Sequence, residues 1–183
     1  MTQTPLRCVV DTNVAMTANS ANAGAPPGCV VASAKALHDV MAKGHVFIDD
    51  GGRIVAEYRA NLLAKGQPGP GDAFLKWLLT HEWGGEKVTR VPITQAADDD
   101  EDFRELPKPP EGTVYDRSDR KFLAVAAAHA DRPPILQSFD SKWWGWRAAL
   151  SASGLTIHFL CAPDIARKHE EKMGGLAPVS AFT

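Results

Sequence analysis

Four acidic residues occupy positions along the chain from which their carboxylates could converge on one site. These are Asp11, Glu57, Asp119 and Asp140. Like charges held a few ångström apart raise each other's pKa, so such a cluster is costly unless cations neutralise it. Mg²⁺ suits this role because it prefers oxygen ligands and is commonly held by a few carboxylates beside a phosphate. The set therefore predicts a Mg²⁺ or Mn²⁺ site that could activate a water molecule for phosphodiester hydrolysis.

The elements that must position these acids follow from hydrophobic periodicity. Strands are predicted at 6–10, 45–48, 135–138 and 155–160, and helices at 30–44, 51–64, 72–81, 118–129, 146–151 and 164–172, with Asp72 capping the third helix. Parallel strands need long crossovers, so this alternation predicts a mostly parallel sheet covered on both faces. The expected fold is a three-layer α/β/α domain. Between residues 90 and 112 the periodicity fails, which indicates an acidic, Pro-rich insertion.

The strand ends suggest where the acids meet. Asp11 follows strand 6–10 and Asp140 follows strand 135–138, and ligands bind at the carboxyl ends of parallel strands. Glu57 lies within the second helix, where it could instead form a solvated pair with Arg53 one turn away. Asp116 and Asp119 both precede the helix at 118–129, and we assign Asp116 mainly to capping and Asp119 to metal binding.

The order and spacing of these motifs resemble those of the PIN-domain nucleases. VVDTNV at 9–14 is similar to the family's opening strand, with Asp11 as first acid and Thr12 or Asn13 as its polar companion. The second, third and fourth acids match RIVAEYRANL at 53–62, SDRKFLAVAAAH at 118–129 and ILQSFDSKW at 135–143, with Ser141 beside the fourth acid. Two features depart from the family: Lys142 stands where many members carry another acid, and the insertion is not a standard part.

The resemblance implies a PIN-like nuclease domain over 1–163, with the insertion at about 90–112, followed by a charged helix and mobile tail over 164–183. It also implies RNA hydrolysis that depends on Mg²⁺ or Mn²⁺. Small bacterial members of the family are often toxins, so the partners to consider are RNA, an antitoxin or other protein inhibitor, and a second copy of the chain. Two alternatives stay open: a PIN-like RNA- or protein-binding module with weak catalysis, and a structure-specific nuclease that acts on DNA.

Charge gives little help to nucleic-acid binding, because 20 basic and 22 acidic residues leave a net charge of −2. A polyanion must therefore be held locally. The candidate phosphate contacts lie near the acids in sequence: Arg117, Arg120, Lys121, Lys142 and Arg147. Trp143, Trp144 and Trp146 could stack on bases, but packing at a core edge is the favoured interpretation.

Other motifs narrow the class of protein. The six histidines form no HExxH pattern, and no glycine-rich nucleotide motif is present. Asn13 stands where a phosphatase using Asp11 as nucleophile would carry a second Asp. Cys8, Cys29 and Cys161 form no CxxC pair and are predicted to be buried free thiols in a reducing compartment. Without a leader-like or membrane-spanning segment, we expect one cytoplasmic domain.

Overall fold

The computed structural model describes residues 3–66 and 68–174. The mobile tail predicted after Gly174 lies outside these residues. In the part of the chain that is described, no helix is both long and apolar enough to cross a membrane.

Five strands form one parallel sheet with the order β3-β2-β1-β4-β5. The strands are β1 Arg7–Val10, β2 His45–Asp49, β3 Val88–Val91, β4 Ile135–Gln137 and β5 Ile157–Phe159. The chain extends the sheet from β1 through β2 and β3, and then returns to the other side of β1 with β4. The strand order therefore reverses between β1 and β4, which is where open α/β sheets bind ligands.

Seven helices of the described residues cover this sheet. They are α1 Thr12–Ala18, α2 Pro27–Lys43, α3 Arg53–Asn61, α4 Pro70–His81, α5 Arg120–Ala128, α6 Ser141–Ala152 and α7 Ala162–Gly174. A short 3-10 turn at Arg117–Asp119 precedes α5. The parallel sheet and the three-layer α/β/α architecture predicted from the sequence are confirmed.

The core lies between the sheet and its helices. Val9, Val10, Ile135 and Leu136 of the central strands and Phe122 of α5 are fully buried. Strands covered on both faces need continuous apolar runs, so the short runs in the sequence were sufficient to locate β1 and β4. Asp11 and Asp140 follow these buried strands, at their carboxyl ends.

Two elements were not predicted. Helix α1 has only seven residues, and Thr12, Val14 and Thr17 have low helix propensity; it forms because Asp11 caps it and its inner face is buried. Strand β3 has four residues and carries Arg90 beside the insertion. The Arg90 guanidinium contacts Glu82 at 3.2 Å and lies 4.0 Å from the centre of the Trp83 ring, so the strand's polar residue is paired.

Asp72 does not occupy the capping position predicted for it. Helix α4 begins after Gly69, and Asp72 is its third residue, from which its carboxylate accepts from the Gly69 and Leu63 N–H groups at 3.0 and 2.8 Å. Asn19 at the end of α1 donates to the same carboxylate at 2.8 Å and accepts from Gly71 N–H at 2.8 Å. The correction shifts the helix start by a few residues and gives Asp72 a role in joining α1 to α4.

The prediction that all cysteines are free thiols is wrong for two of them. Cys29 near the start of α2 and Cys161 after β5 form a disulfide with a Cα–Cα distance of 5.4 Å. They are 132 residues apart and meet in a small apolar cluster with Phe139 and Ile165, so no local spacing could reveal the pair. Cys8 of β1 is a buried free thiol, and burial raises its pKa to about 12.

Helix α3, which carries Glu57, is anchored by a buried acid at the end of β2. The Asp49 side chain is fully buried and accepts from the Arg53 and Ile54 N–H groups at 2.8 Å each. Gly52 supplies the left-handed turn between strand and helix, with φ of 77°. The carboxylate thus satisfies two N–H groups of the first turn that have no partner within the helix.

We expect Asp49→Ala to lower the free energy of unfolding by about 2–4 kcal/mol, because two buried N–H groups lose a charged acceptor. Urea denaturation measures this change. Asp50→Ala, which removes an exposed neighbouring carboxylate, is the matched control and should change stability by less than about 0.5 kcal/mol. Equal effects of the two substitutions would contradict the anchoring role.

Candidate metal centre

Asp11 and Asp140 each cap a helix that follows a central strand. Oδ1 of Asp11 accepts from Asn13 N–H at 2.8 Å at the start of α1, and Oδ1 of Asp140 accepts from Lys142 N–H at 3.1 Å at the start of α6. Because β1 and β4 are parallel neighbours, both carboxylates lie at the same edge of the sheet. Capping uses one oxygen of each and thereby fixes the orientation of the other.

Asn13 joins the two strand ends. Its Oδ1 accepts from Phe139 N–H at 2.8 Å, and Asp11 N–H donates to the Leu136 carbonyl at 3.2 Å. These bonds hold the segment before Asp140 against the end of β1. The residue predicted as a polar companion of Asp11 therefore positions Asp140 relative to it.

Glu57 and Asp119 reach the same edge from α3 and from the turn before α5. Asp11 is 4% exposed, and this burial raises its pKa well above the ordinary range. The nearby charges of Asp119, Glu57 and Asp140 raise it further. Asp119 and Asp140 are also joined through Lys142, whose Nζ lies 2.8 and 3.5 Å from their Oδ2 atoms. The structure thus brings together the four acids singled out in the sequence.

Tyr58 links α3 to the end of β1 next to this cluster. Its hydroxyl is fully buried and donates a hydrogen bond to the Val10 carbonyl, one residue before Asp11. Burial raises the pKa of Tyr58, and the nearby Asp11 and Glu57 charges act in the same direction. The hydroxyl therefore stays neutral and keeps donating. The sequence pattern could not reveal this contact, because Tyr58 shares the buried face of α3 with Ile54 and Val55.

Lys142 lies among three carboxylates. Its Nζ is 2.8 Å from Oδ2 of Asp116, 2.8 Å from Oδ2 of Asp119 and 3.5 Å from Oδ2 of Asp140. Burial of the ammonium group favours its neutral form, but the contacts with Asp116 and Asp119 outweigh this and raise the pKa of Lys142. Sequence reasoning treated Lys142 as a departure from the family or a phosphate contact, and missed its place as an internal counter-ion.

Lys121 is a second internal counter-ion. It is 9% exposed, and its ammonium group forms an ion pair with the Glu57 carboxylate and donates to the Ser118 carbonyl. Arg53, the alternative partner considered for Glu57, instead donates to Oε1 of Gln95 at 2.9 Å. Glu57 therefore faces α5 and the acid cluster, which is the orientation that a metal site requires.

Asp116 caps the turn before α5, as expected. Its Oδ1 accepts from Ser118 N–H at 3.4 Å, while its Oδ2 contacts Lys142. The hydrogen bond from Lys142 lowers the pKa of Asp116. Asp116 thus stays charged at the rim and helps to hold the lysine in place.

Two buried oxygens beside the cluster have no hydrogen-bond partner among the described residues: Oγ1 of Thr12 and Oδ2 of Asp119. The Lys142 ammonium group is nevertheless 2.8 Å from Oδ2 of Asp119, so the charge of that oxygen is paired. Buried polar atoms are normally hydrogen-bonded. The unpartnered Thr12 hydroxyl, next to Asp11 in the chain, fits water-mediated binding of a hard divalent cation.

Two ammonium groups contact the acids of the cluster. Within residues 3–66 and 68–174, no group of three or more His, Cys, Asp or Glu side chains has metal-holding geometry. Lys121 contacts Glu57, and Lys142 lies among Asp116, Asp119 and Asp140. The donor set is all oxygen and suits Mg²⁺ or Mn²⁺, and the lysines compete for the same oxygens.

The remaining cations predicted to contact phosphate are also engaged. Arg120 donates to the Tyr115 carbonyl at 3.1 Å and contacts Asp99 at 3.3 Å. Arg147 lies 4.3 Å from the centre of the Trp144 ring and is exposed. Of these two, Arg147 has the more accessible guanidinium.

Helix α6 supports the site through packing. Ser141 and Trp143 at its start are buried, and Trp143 is among the largest fully buried side chains. Trp146 is half-buried and packs edge-on against Tyr115, with ring centres 5.3 Å apart. Trp144 is half-buried as well. Packing, the interpretation favoured from the sequence, is confirmed for Trp143.

Comparison of the chain with protein-family models, with curated proteins and with solved structures gives no match. The resemblance to PIN-domain nucleases rests on the sequence motifs themselves. Function must accordingly be argued from the geometry and chemistry of the site.

The raised pKa of Asp119 should make the stability of the protein depend on pH in a specific way. Burial raises its pKa from 3.8 to about 6, although Lys142 acts in the opposite direction. Between pH 3.8 and about 6 the Asp119 carboxyl is protonated more often in the folded protein than in the unfolded chain. Its contribution to the free energy of unfolding therefore falls as pH rises through this range. We expect Asp119→Asn to gain stability relative to the unsubstituted protein from pH 4 to about 6 when both are kept in EDTA.

Urea denaturation at a series of pH values measures this difference. Asp131→Asn, at an exposed carboxylate that pairs with Arg7, is the control and should leave the pH profile unchanged. If the free energy of unfolding of Asp119→Asn and of the unsubstituted protein change in parallel with pH throughout this range, burial does not raise the pKa of Asp119.

Proposed function

We propose that this chain is a metal-dependent ribonuclease of the PIN type that hydrolyses RNA phosphodiester bonds. The observation that carries the proposal is the grouping of Asp11, Glu57, Asp119 and Asp140, from four separate elements, where the strand order reverses. Lys142 lies 2.8 and 3.5 Å from Asp119 and Asp140, and Asn13 ties the Asp11 and Asp140 segments together. Asp11 and Asp119 are 4% and 6% exposed. Burying so much negative charge has a large free-energy cost, and a catalytic role explains why the chain would accept it.

Asp11 and Asp119 would hold Mg²⁺ or Mn²⁺, with Glu57 and Asp140 as further ligands or as acceptors that orient bound water. Such an ion, when bound, lowers the pKa of water and neutralises charge on phosphate oxygens. Asn13 fixes the spacing of the strand ends, so that the carboxylates are oriented before substrate binds. This preorganisation avoids rearrangement during the reaction.

Lys142 gives the rim a fixed positive charge. An approaching phosphodiester would otherwise meet the unshielded carboxylates of Asp116 and Asp119. The ammonium group offsets part of this repulsion and can donate to a phosphate oxygen. Lys142 therefore makes an acidic site compatible with a polyanionic substrate.

A second candidate is a PIN-like module that binds RNA or protein with little catalysis. The two internal lysines favour it, because they neutralise carboxylates without any metal. A third, a nuclease acting on DNA, uses the same acid cluster. Assays on single-stranded RNA, single-stranded DNA and flap DNA separate these alternatives.

The proposed partners are RNA and an antitoxin or other protein inhibitor, or a second copy of the chain, and the proposed compartment is the cytoplasm. The Cys29–Cys161 disulfide counts against that compartment, because such bonds are rare there. Non-reducing mass spectrometry of alkylated protein from intact cells would test the location: one modified cysteine, rather than three, would argue for an oxidising compartment.

Asp11→Asn should reduce cleavage of single-stranded RNA in Mn²⁺ by at least about 100-fold, since it removes the most buried of the four clustered acids while keeping its size. Gel analysis of a labelled oligonucleotide measures this. EDTA should abolish cleavage, and Asp131→Asn, an exposed acid with a surface partner, should cleave normally. Cleavage that survives Asp11→Asn and EDTA would refute the assignment, as would intact RNA with the unsubstituted folded protein.

Lys142→Met should make the protein depend more on metal. Without the ammonium group, Asp116, Asp119 and Asp140 repel one another, so we expect stability in EDTA to fall by about 1–3 kcal/mol. Added Mn²⁺ should then raise the unfolding temperature more than it does for the unsubstituted protein. Lys35→Met, at an exposed lysine paired with Asp39, is the control. An equal Mn²⁺ response in all three proteins would show that Lys142 does not compete with metal.

A further inference from the structure

A cleft of about 460 Å³ lies beside the acid cluster. Arg53, Arg117 and Lys121 line it with positive charge, and Asp100 and Glu101 line it with negative charge. Lys121 connects the cleft to the cluster, because its ammonium group contacts Glu57. The cleft therefore places a cationic surface next to the proposed reacting atoms.

The acidic side of the cleft belongs to the insertion. Its two arms pair through Ala96 N–H to the Asp102 carbonyl at 2.8 Å and Arg104 N–H to the Thr94 carbonyl at 2.9 Å. Residues 98–101 form the turn between the arms, and we call them the acidic tip. Backbone bonds thus hold the base of the insertion, whereas side-chain carboxylates attach the tip to the domain.

Arg117 receives these carboxylates. Its Nη1 and Nη2 donate to the two oxygens of Asp99 at 2.8 and 2.7 Å, and its Nε donates to Oε2 of Glu101 at 2.6 Å. Asp100 adds a contact at 3.4 Å, and Arg120 also reaches Asp99 at 3.3 Å. Several acidic oxygens around one guanidinium reproduce the donor–acceptor pattern that a backbone phosphate offers to arginine.

We propose that this cleft is a second phosphate-binding site for the substrate strand, in which the acidic tip occupies Arg117 until RNA displaces it. The identity of the strand as RNA rests on the function proposed above. The geometry supports displacement at two of the three acids: Arg117 is 53% exposed in its side chain, and its partners Asp100 and Glu101 are 78% and 51% exposed, whereas Asp99 is 25% exposed. Exposed ion pairs contribute roughly 0–1 kcal/mol each, so a polyanion that binds through several phosphates can replace them.

The position of Arg117 links this second site to the first. Arg117 and Lys121 line the same cleft, and Lys121 contacts Glu57, so a strand held by Arg117 would lie beside the acid cluster. With the tip in place, the turn at Arg117–Asp119 is surrounded by acids on both sides. The insertion therefore lowers RNA affinity in the resting protein and gives way to strands that bind through enough phosphates.

The test compares full-length variants for binding of fluorescein-labelled oligouridylate by anisotropy, in Ca²⁺ and over a series of NaCl concentrations. Asp99→Asn with Glu101→Gln removes the two tip carboxylates that make the shortest contacts with Arg117. We expect about three- to tenfold tighter binding and a steeper salt dependence, by about 0.7 in the log–log slope for each additional phosphate that the protein neutralises. Adding Arg117→Gln to this variant should return the affinity to that of the unsubstituted protein.

Asp131→Asn with Glu111→Gln is the matched control, because it changes the net charge equally at exposed acids that lie outside the acidic tip. Equal increases in affinity for the control and the tip variant would overturn the proposal by showing a general charge effect. Unchanged or weaker binding by the tip variant, with a lower unfolding temperature, would show that the tip is structural.

Tighter RNA binding by the tip variant, without cleavage by the protein in Mn²⁺, would support this site and refute the nuclease function. Cleavage in Mn²⁺ without tighter binding by the tip variant would support the nuclease function and refute this site.

Discussion

Repulsion between carboxylates at the ends of two neighbouring parallel strands is the constraint around which this domain is built. Asp11 and Asp140 are brought to one edge by the pairing of β1 with β4, and Asp119 is added from the turn before α5. The chain tolerates this arrangement through two devices. Backbone N–H groups at helix starts donate to the carboxylates, and the Lys142 ammonium group takes a position between acids that would otherwise repel. The strand order brings the acids together, and the helix starts and the internal lysines offset the repulsion that results.

The sequence was sufficient wherever local pattern determines structure. Continuous apolar runs located β1 and β4, and because residues that follow parallel strands share an edge, the proximity of Asp11 and Asp140 could be predicted without coordinates. Pattern failed for elements that depend on tertiary contacts. Helix α1 is short and poor in helix formers, and the Cys29–Cys161 pair joins positions 132 residues apart. The contacts of Lys142 also escaped prediction, because a lysine at a helix start is ordinarily solvated.

The insertion shows how an unpatterned segment can acquire a defined place. Its composition indicated a hydrated loop, and its tip is largely exposed. Nevertheless its arms pair through the Gln95 and Phe103 bridge, and Phe103 is buried beneath the Arg53 guanidinium. A single aromatic anchor and a few backbone bonds orient a run of acids toward Arg117. Three consecutive acids of the insertion thus contact the same guanidinium group.

The disulfide between Cys29 and Cys161 closes a covalent ring that contains β2, β3, β4 and β5 together with helices α3 to α6 and most of α2. Strand β1 lies outside this ring and is held in the middle of the sheet by noncovalent contacts alone. A cut by a protease in the insertion would therefore leave the two resulting pieces tethered, with both halves of the sheet still joined. Tension applied at the two ends of the chain would be borne by the ring at Cys29 and Cys161, and would pull β1 away before it reached the other strands.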